Sequence, residues 1–139
     1  MKDNTIEDSV FTKIIKGEIP SFKLYEDDKT MAFLTINPSQ PGHTIVVPKV
    51  QIDHLDDLKD SDYQAVWSTV HKVSRRLKEV FSRKRIGIQV VGLEVPHAHV
   101  HVLPFDTLEE YVFVPDPDTE PDFNTLEEVA KQINKSAII

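Results

Sequence analysis

Cysteine is absent from the sequence, which excludes disulfides and thiolate metal ligands. Also missing is any apolar run of about 18 residues, the length a membrane-crossing helix needs. The first ten residues, MKDNTIEDSV, hold no apolar stretch of the secretory kind, so the expectation is a cytoplasmic protein with no membrane partner. Positive charge is in short supply: 16 Lys and Arg face 23 Asp and Glu, for a net charge of −7. With no basic stripe to offset that balance, general binding to nucleic acid or acidic lipid is excluded. The densest basic stretch, Arg83-Lys84-Arg85, directly precedes an apolar run and reads as a solvated turn. There is no internal repeat and no long low-complexity linker, and 139 residues make one domain able to bury a core.

What is present reads as alternating elements. Residues 9–16 place Val10, Phe11, Ile14 and Ile15 on one helical face, Gly17 takes the position after the helix, and Pro20 forbids continuation. Strands are expected at 22–26 and 30–36, joined by Asp27-Asp28-Lys29, and at 43–48 after the loop Asn37-Pro38-Ser39-Gln40-Pro41-Gly42. A long helix follows, its start marked by a capping box at Ser61 and Gln64. Its apolar face is Tyr63, Val66, Trp67, Val70, Val73, Leu77, Val80 and Phe81. Two more strands read at 86–91 and 97–103. Beyond Pro104, the acids and Pro115, Pro117 and Pro121 describe an extended, mobile stretch, closed by a short helix capped by Thr125 and Glu128. Tyr111 and Phe113 are candidates to anchor that stretch through aromatic burial. The order predicts an α+β domain on a mostly antiparallel sheet of about five strands.

The chemistry concentrates in VPHAHVHVLP, residues 95–104, where His97, His99 and His101 recur at two-residue spacing. In a strand these three share one face while Ala98, Val100 and Val102 point to the core. Scattering six histidines at random over the chain gives roughly 0.006 expected triplets of this kind, so the pattern has a cause. The valines already supply burial, so packing does not require the histidines. Two readings remain open on local chemistry. Three imidazoles can hold Zn²⁺, although only Glu94 is at hand in sequence as an orienting carboxylate. Alternatively, a neutral imidazole can attack phosphorus while its neighbours donate protons and steady the transferring oxygens.

The segment His97-Ala98-His99-Val100-His101-Val102-Leu103 resembles the His-φ-His-φ-His-φ-φ signature of the histidine triad (HIT) superfamily, φ being apolar. The likeness continues upstream. Val10-Phe11-Thr12-Lys13-Ile14-Ile15-Lys16-Gly17-Glu18-Ile19-Pro20 is similar to the N-terminal helix and turn of its nucleotide-binding phosphoramidase branch. Ala32-Phe33-Leu34-Thr35-Ile36-Asn37-Pro38 and Gly42-His43-Thr44-Ile45-Val46-Val47-Pro48-Lys49 resemble two further family segments. The match runs over about residues 9–104, in the right order.

This resemblance implies a HIT-like fold whose sheet extends across a homodimer, with a catalytic domain at 1–104. The remainder, 105–139, would be an acidic extension with a short helix, packed on the same domain or on the dimer partner. It implies metal-independent, cofactor-free cleavage of nucleoside 5′-phosphoramidates or related conjugates, with a purine nucleotide expected. His99 would be the nucleophile, His101 would contact the transferring phosphate and leaving group, and His97 and His43 would support them. Val10, Phe11, Ile14, Phe33, Thr35 and Ile36 would line the base and ribose pocket, and Gly92 and Glu94 would border the phosphate. Each apolar residue singly is equally compatible with ordinary core packing. A dinucleoside polyphosphate hydrolase, a nucleotide-binding module with little turnover and a triad metal protein are the alternatives.

Four positions depart from the family pattern. Thr35 stands where an acid usually holds the ribose, and Val91, Leu93 and Glu94 stand where an amide, a second amide and a hydroxyl residue are usual. A carboxylate beside a phosphate anion is repelled by about 4 kcal/mol at about 4 Å in an effective dielectric of about 20. Glu94 is therefore expected to face solvent, to bind a cationic leaving amine, or to be protonated and donate.

Overall fold

Strand residues alternate between two faces, and here both faces are covered. The computed structural model describes residues 6–139. Its sheet joins β1 (Lys23–Glu26), β2 (Thr30–Leu34), β3 (Thr44–Pro48), β4 (Arg85–Gln89) and β5 (Val100–Phe105). The spatial order is β1-β2-β3-β5-β4, every pair antiparallel. All residues of β2 and β3 are buried, which explains why their sequences read as near-continuous apolar runs.

On one face Ala32, Leu34, Val46, Val100 and Val102 join the main core. On the other, Met31, Phe33, Ile45 and Val47 pack with Phe11 of α1 (Val10–Ile15). The turn into β2 is closed by Asp27, whose carboxylate accepts the backbone N–H groups of Lys29 (2.9 Å) and Thr30 (2.8 Å).

The long helix α2 (Asp60–Val80) covers the main core with Val66, Val70, Val73 and Leu77. It starts earlier than its sequence suggests. Lys59 is the N-cap and makes no side-chain cap bond, so Ser61 lies inside the first turn and the expected capping box does not form. Asp60 and Asp62 lie in that turn instead, where the helix dipole favours acids. The buried stripe is also rotated. Tyr63 is exposed, while Asp62 and Thr69 are buried, facing Lys29 (3.6 Å) and the Thr30 hydroxyl (2.7 Å).

Beyond β5 the chain is more ordered than its prolines suggest. Helix α3 (Leu108–Val112) opens with a complete capping box from Thr107 and Glu110. Helix α4 (Phe123–Ile133) is capped by Asp122, three residues before the expected Thr125, which instead donates its N–H to that carboxylate. Its Leu126, Val129, Ala130 and Ile133 enter the same core as α2. Tyr111 does anchor the segment, stacking on Phe105 at 4.6 Å and donating its hydroxyl to the Ile88 carbonyl, but Phe113 is exposed. Arg83 is not a solvated turn residue. It pairs with Asp106 (2.9 Å) and Glu110 (3.0 Å), tying the end of α2 to the start of α3.

Candidate active site

The triad sits where β5 begins. Only His101 lies within the regular strand, since β5 starts at Val100, and His97 and His99 precede it. The expected one-face arrangement nevertheless holds. The His99 and His101 rings are 5.0 Å apart, and Phe11 stands edge-on to both His97 (5.8 Å) and His99 (4.9 Å). His43, at the entry to β3, completes the group through an Nε2 to His101 Nδ1 contact of 2.9 Å. Pairing of β3 with β5 sets Ile45 opposite His101 and Val46 opposite Val100, which fixes that approach.

Because each neutral imidazole carries one N–H and one lone pair, its partners assign its tautomer. His97 Nε2–H donates to the Pro48 carbonyl at 2.8 Å, leaving Nδ1 to accept from the Ser9 hydroxyl at 2.7 Å. His99 Nδ1–H donates to the His97 carbonyl at 2.7 Å, so its Nε2 keeps the lone pair. His43 Nδ1 accepts the Ser39 backbone N–H at 3.1 Å. The His43 proton is therefore on Nε2 and points at His101 Nδ1, which leaves His101 with Nε2–H. The result is one ring with a free lone pair beside one ring with a free donor.

Burial keeps the set neutral. It pushes the His43 pKa down to about 3 and that of His101 to about 4, helped in each case by repulsion from a neighbouring histidine. Burial also lowers His97 and His99, against the raising effect of their backbone hydrogen bonds. Glu94, although exposed, opposes the shift at His99 through its charge. Among the described residues no group of three His, Asp or Glu side chains is placed to hold a metal ion.

The expected pocket residues divide. Val10 and Ile36 are exposed and Ile14 is half-buried, so these offer apolar surface. Phe33 is only 2 % exposed and lies against Phe11, 5.6 Å away, so it backs the site and does not line it. Phe11, also buried, presents a ring edge to His99. The Thr35 hydroxyl accepts the Asn37 N–H at 3.3 Å. Gly92 is exposed at φ 69°, a left-handed turn position with open space around it. Ser9, Thr12, Ser39 and Gln51 were not singled out as site residues by sequence pattern, yet all four contact the histidines or each other. Of the four, only Ser9 carries a local signal, as a serine at the head of the helical segment 9–16.

The residues matched by the HIT domain model are 16–108. The chain belongs to the HIT family. A HIT-like protein of Borreliella burgdorferi is 41% identical over 104 residues, covering 70% of this chain and 75% of that one. The adenosine 5′-monophosphoramidase of Saccharomyces cerevisiae is 31% identical over 125 residues, covering 89% of this chain and 79% of the yeast protein. Among solved structures, the HIT-like protein of Bartonella henselae, described as involved in cell-cycle regulation, superposes with a TM-score of 0.79 at 32% identity. It covers 95% of this chain and 96% of its own. The α+β architecture with a five-stranded antiparallel sheet is thus that of HIT proteins. Relatives named as phosphoramidases place nucleotide hydrolysis within the family's range.

Proposed function

We propose that this HIT protein hydrolyses nucleoside 5′-phosphoramidates through a nucleotidyl-histidine intermediate on His99. One observation carries the reading: the His97 carbonyl holds the His99 proton on Nδ1 and leaves Nε2 free. In the reaction the Nε2 lone pair forms a bond to the α-phosphorus as the bond to the amine nitrogen breaks. The amine departs with a proton from water. The ring keeps Nδ1–H, so the positive charge it gains lies against the His97 carbonyl. His101 Nε2–H donates to a phosphoryl oxygen, and His43 holds His101 in that tautomer. The hydroxide left behind then attacks the phosphorus, the P–Nε2 bond breaks, and nucleoside monophosphate leaves with His99 restored as the neutral Nδ1–H ring. Nothing in these steps calls for a metal or cofactor.

Val10, Ile14 and Ile36 supply apolar contact for a purine base, with Phe11 and Phe33 behind them. Thr35 takes the ribose side, Gly92 lets the backbone turn beside the phosphate, and Glu94 faces the leaving amine. The working form is a cytoplasmic homodimer joined along β4, the edge strand of the sheet among the described residues, where Ile88 and the following Val90 and Val91 are exposed. The split between a catalytic part, 1–104, and an extension, 105–139, is functional, since α4 completes the core.

The test is intact-mass analysis of protein quenched during turnover of adenosine and guanosine phosphoramidates, with diadenosine polyphosphates in competition. A nucleoside monophosphate adduct on the native protein and none on His99→Ala is the expected result. An adduct that survives the substitution removes His99 from its role. Faster cleavage of the dinucleotide at equal concentration would replace the substrate class.

A further inference from the structure

His97 does no bond-making in this scheme, yet it is fully buried and both of its ring nitrogens are engaged. Its partners come from two segments, residues 7–12 and 48–51. The Gln51 side-chain oxygen accepts the Ser9 backbone N–H (2.8 Å) and the Thr12 hydroxyl (2.5 Å). The Ser9 hydroxyl accepts the Thr12 backbone N–H (3.0 Å), the N-cap bond of α1. Gln51 Nε2 donates to the Glu7 carbonyl at 2.9 Å.

Proton counting and distance together give the assignment, since the Ser9 hydroxyl lies 3.2 Å from the Thr12 hydroxyl but 2.7 Å from His97 Nδ1. The Gln51 oxygen has none to give, so the Thr12 hydroxyl proton goes to it. Pro48 offers only a carbonyl, so His97 Nε2 bears the ring proton. The Ser9 hydroxyl proton is then the one that meets His97 Nδ1, at 2.7 Å, while Thr12 Oγ is more distant at 3.3 Å.

We propose that Ser9, Thr12 and Gln51 are positioning residues that clamp His97 and, through the His97 carbonyl, hold His99 in the tautomer with Nε2 free. This deepens the proposed function and rests on it. The carbonyl in question lies ahead of β5, so no strand ladder sets its direction. What holds this stretch is the clamped ring together with the His97 N–H to Val95 carbonyl and Ala98 N–H to Ile52 carbonyl bonds, at 2.8 and 2.7 Å. The 51–52 segment thus steadies the ring through Gln51 and the backbone through Ile52. The same α1 that bears Ser9 also bears Phe11, whose ring edge meets His99. Base-side wall and nucleophile tautomer are therefore set by one short helix.

Imidazole ¹⁵N NMR of the full chain reads the tautomer directly, on native protein and on Ser9→Ala, Ser9→Thr and Gln51→Ala. Native His99 is expected as a single Nδ1–H form. Both alanine variants should show averaged Nδ1 and Nε2 shifts, with kcat down roughly tenfold and KM within about twofold, because a mis-set tautomer removes the attacking lone pair without removing the pocket. Ser9→Thr, which keeps the hydroxyl, should restore both readouts. Gln51 is only half-buried, so its variant keeps the test available if Ser9→Ala folds poorly. A His99 that stays wholly in the Nδ1–H form in both alanine variants overturns the clamp, whatever happens to melting temperature. A native protein with the Nδ1–H form but no phosphoramidate cleavage sinks the proposed function and leaves the clamp standing.

Discussion

Mild acid should destabilise this protein through its histidines before its carboxylates respond. In the native state His43 titrates at about 3 and His101 at about 4, against an ordinary value of 6.5. A lowered native pKa means that the unfolded chain takes up the proton first. The stability these rings contribute is therefore complete above about pH 6.5 and is lost as pH falls toward the native values. At about pH 5 an unfolded histidine is almost fully protonated while both native rings stay neutral, a linkage cost of about 2 kcal/mol each. The pair thus predicts a fall in unfolding free energy of about 4 kcal/mol between about pH 8 and about pH 5, with His97 and His99 shifting the same way. The lowered carboxylates of Glu26 and Asp27 act in a more acidic window. Urea unfolding at the two pH values and one protein concentration measures the drop. His43→Gln can replace both hydrogen bonds of His43 without titrating, and should remove about half of it. A native drop under about 1 kcal/mol, or an equal drop in the variant, would show that the rings are not shielded as described.

If His99 is the nucleophile as proposed, activity should hold to below pH 6.5, because burial lowers its pKa, and then fall as His99 protonates. A pH–rate profile of kcat/KM with its acid limb above 6.5 would contradict that. Glu94→Gln removes the charge that raises His99, so the limb should move further toward acid and preference for amine over alcohol leaving groups should shrink. Unchanged selectivity defeats the role given to Glu94. Gly42 sits at φ 90°, and a Cβ there would meet the Phe81 ring at 2.8 Å. Gly42→Ala should cost more than about 1 kcal/mol and displace His43, seen as lower kcat with lower melting temperature. Leu77→Ala in the main core should cost about 2–5 kcal/mol in urea unfolding with the triad tautomers intact by NMR.

How legible was this in the sequence? The triad and its shared face followed from spacing alone, and the five strands from β-branched runs, because both signals are local. The helix starts were less secure. At α2 a Ser-x-x-Gln pattern mimicked a cap while the dipole-favoured acids Asp60 and Asp62 marked the true first turn. Helix α3 is masked by the prolines that follow it, although Thr107 and Glu110 carry a complete Thr-x-x-Glu capping signature. Of the histidines' partners, His43 came only through the family resemblance, and Ser9, Thr12, Ser39 and Gln51 not at all. Ser9 and His97 meet across 88 positions, and His43 and His101 across 58, so nothing local announces them. The burial of Phe33 was equally out of reach, since only the fold shows that α1 lies over it.

The alternation of histidine with Ala98, Val100 and Val102 through residues 97–102 bears on how such a chain can change over time. A single inserted or deleted residue there would exchange the two faces, sending imidazoles into the core and valines into the site. The apolar positions of that stretch can drift in identity, but the stretch cannot change in length. The turn before it is free of this constraint: Val90 to Glu94 are exposed, and Gly92 meets nothing within 4 Å of where a side chain would start. Insertions are therefore cheap at 90–94 and ruinous within 97–102. On the proposed chemistry, lineages of this fold can rework the leaving-group side by lengthening one turn while His99 keeps its place.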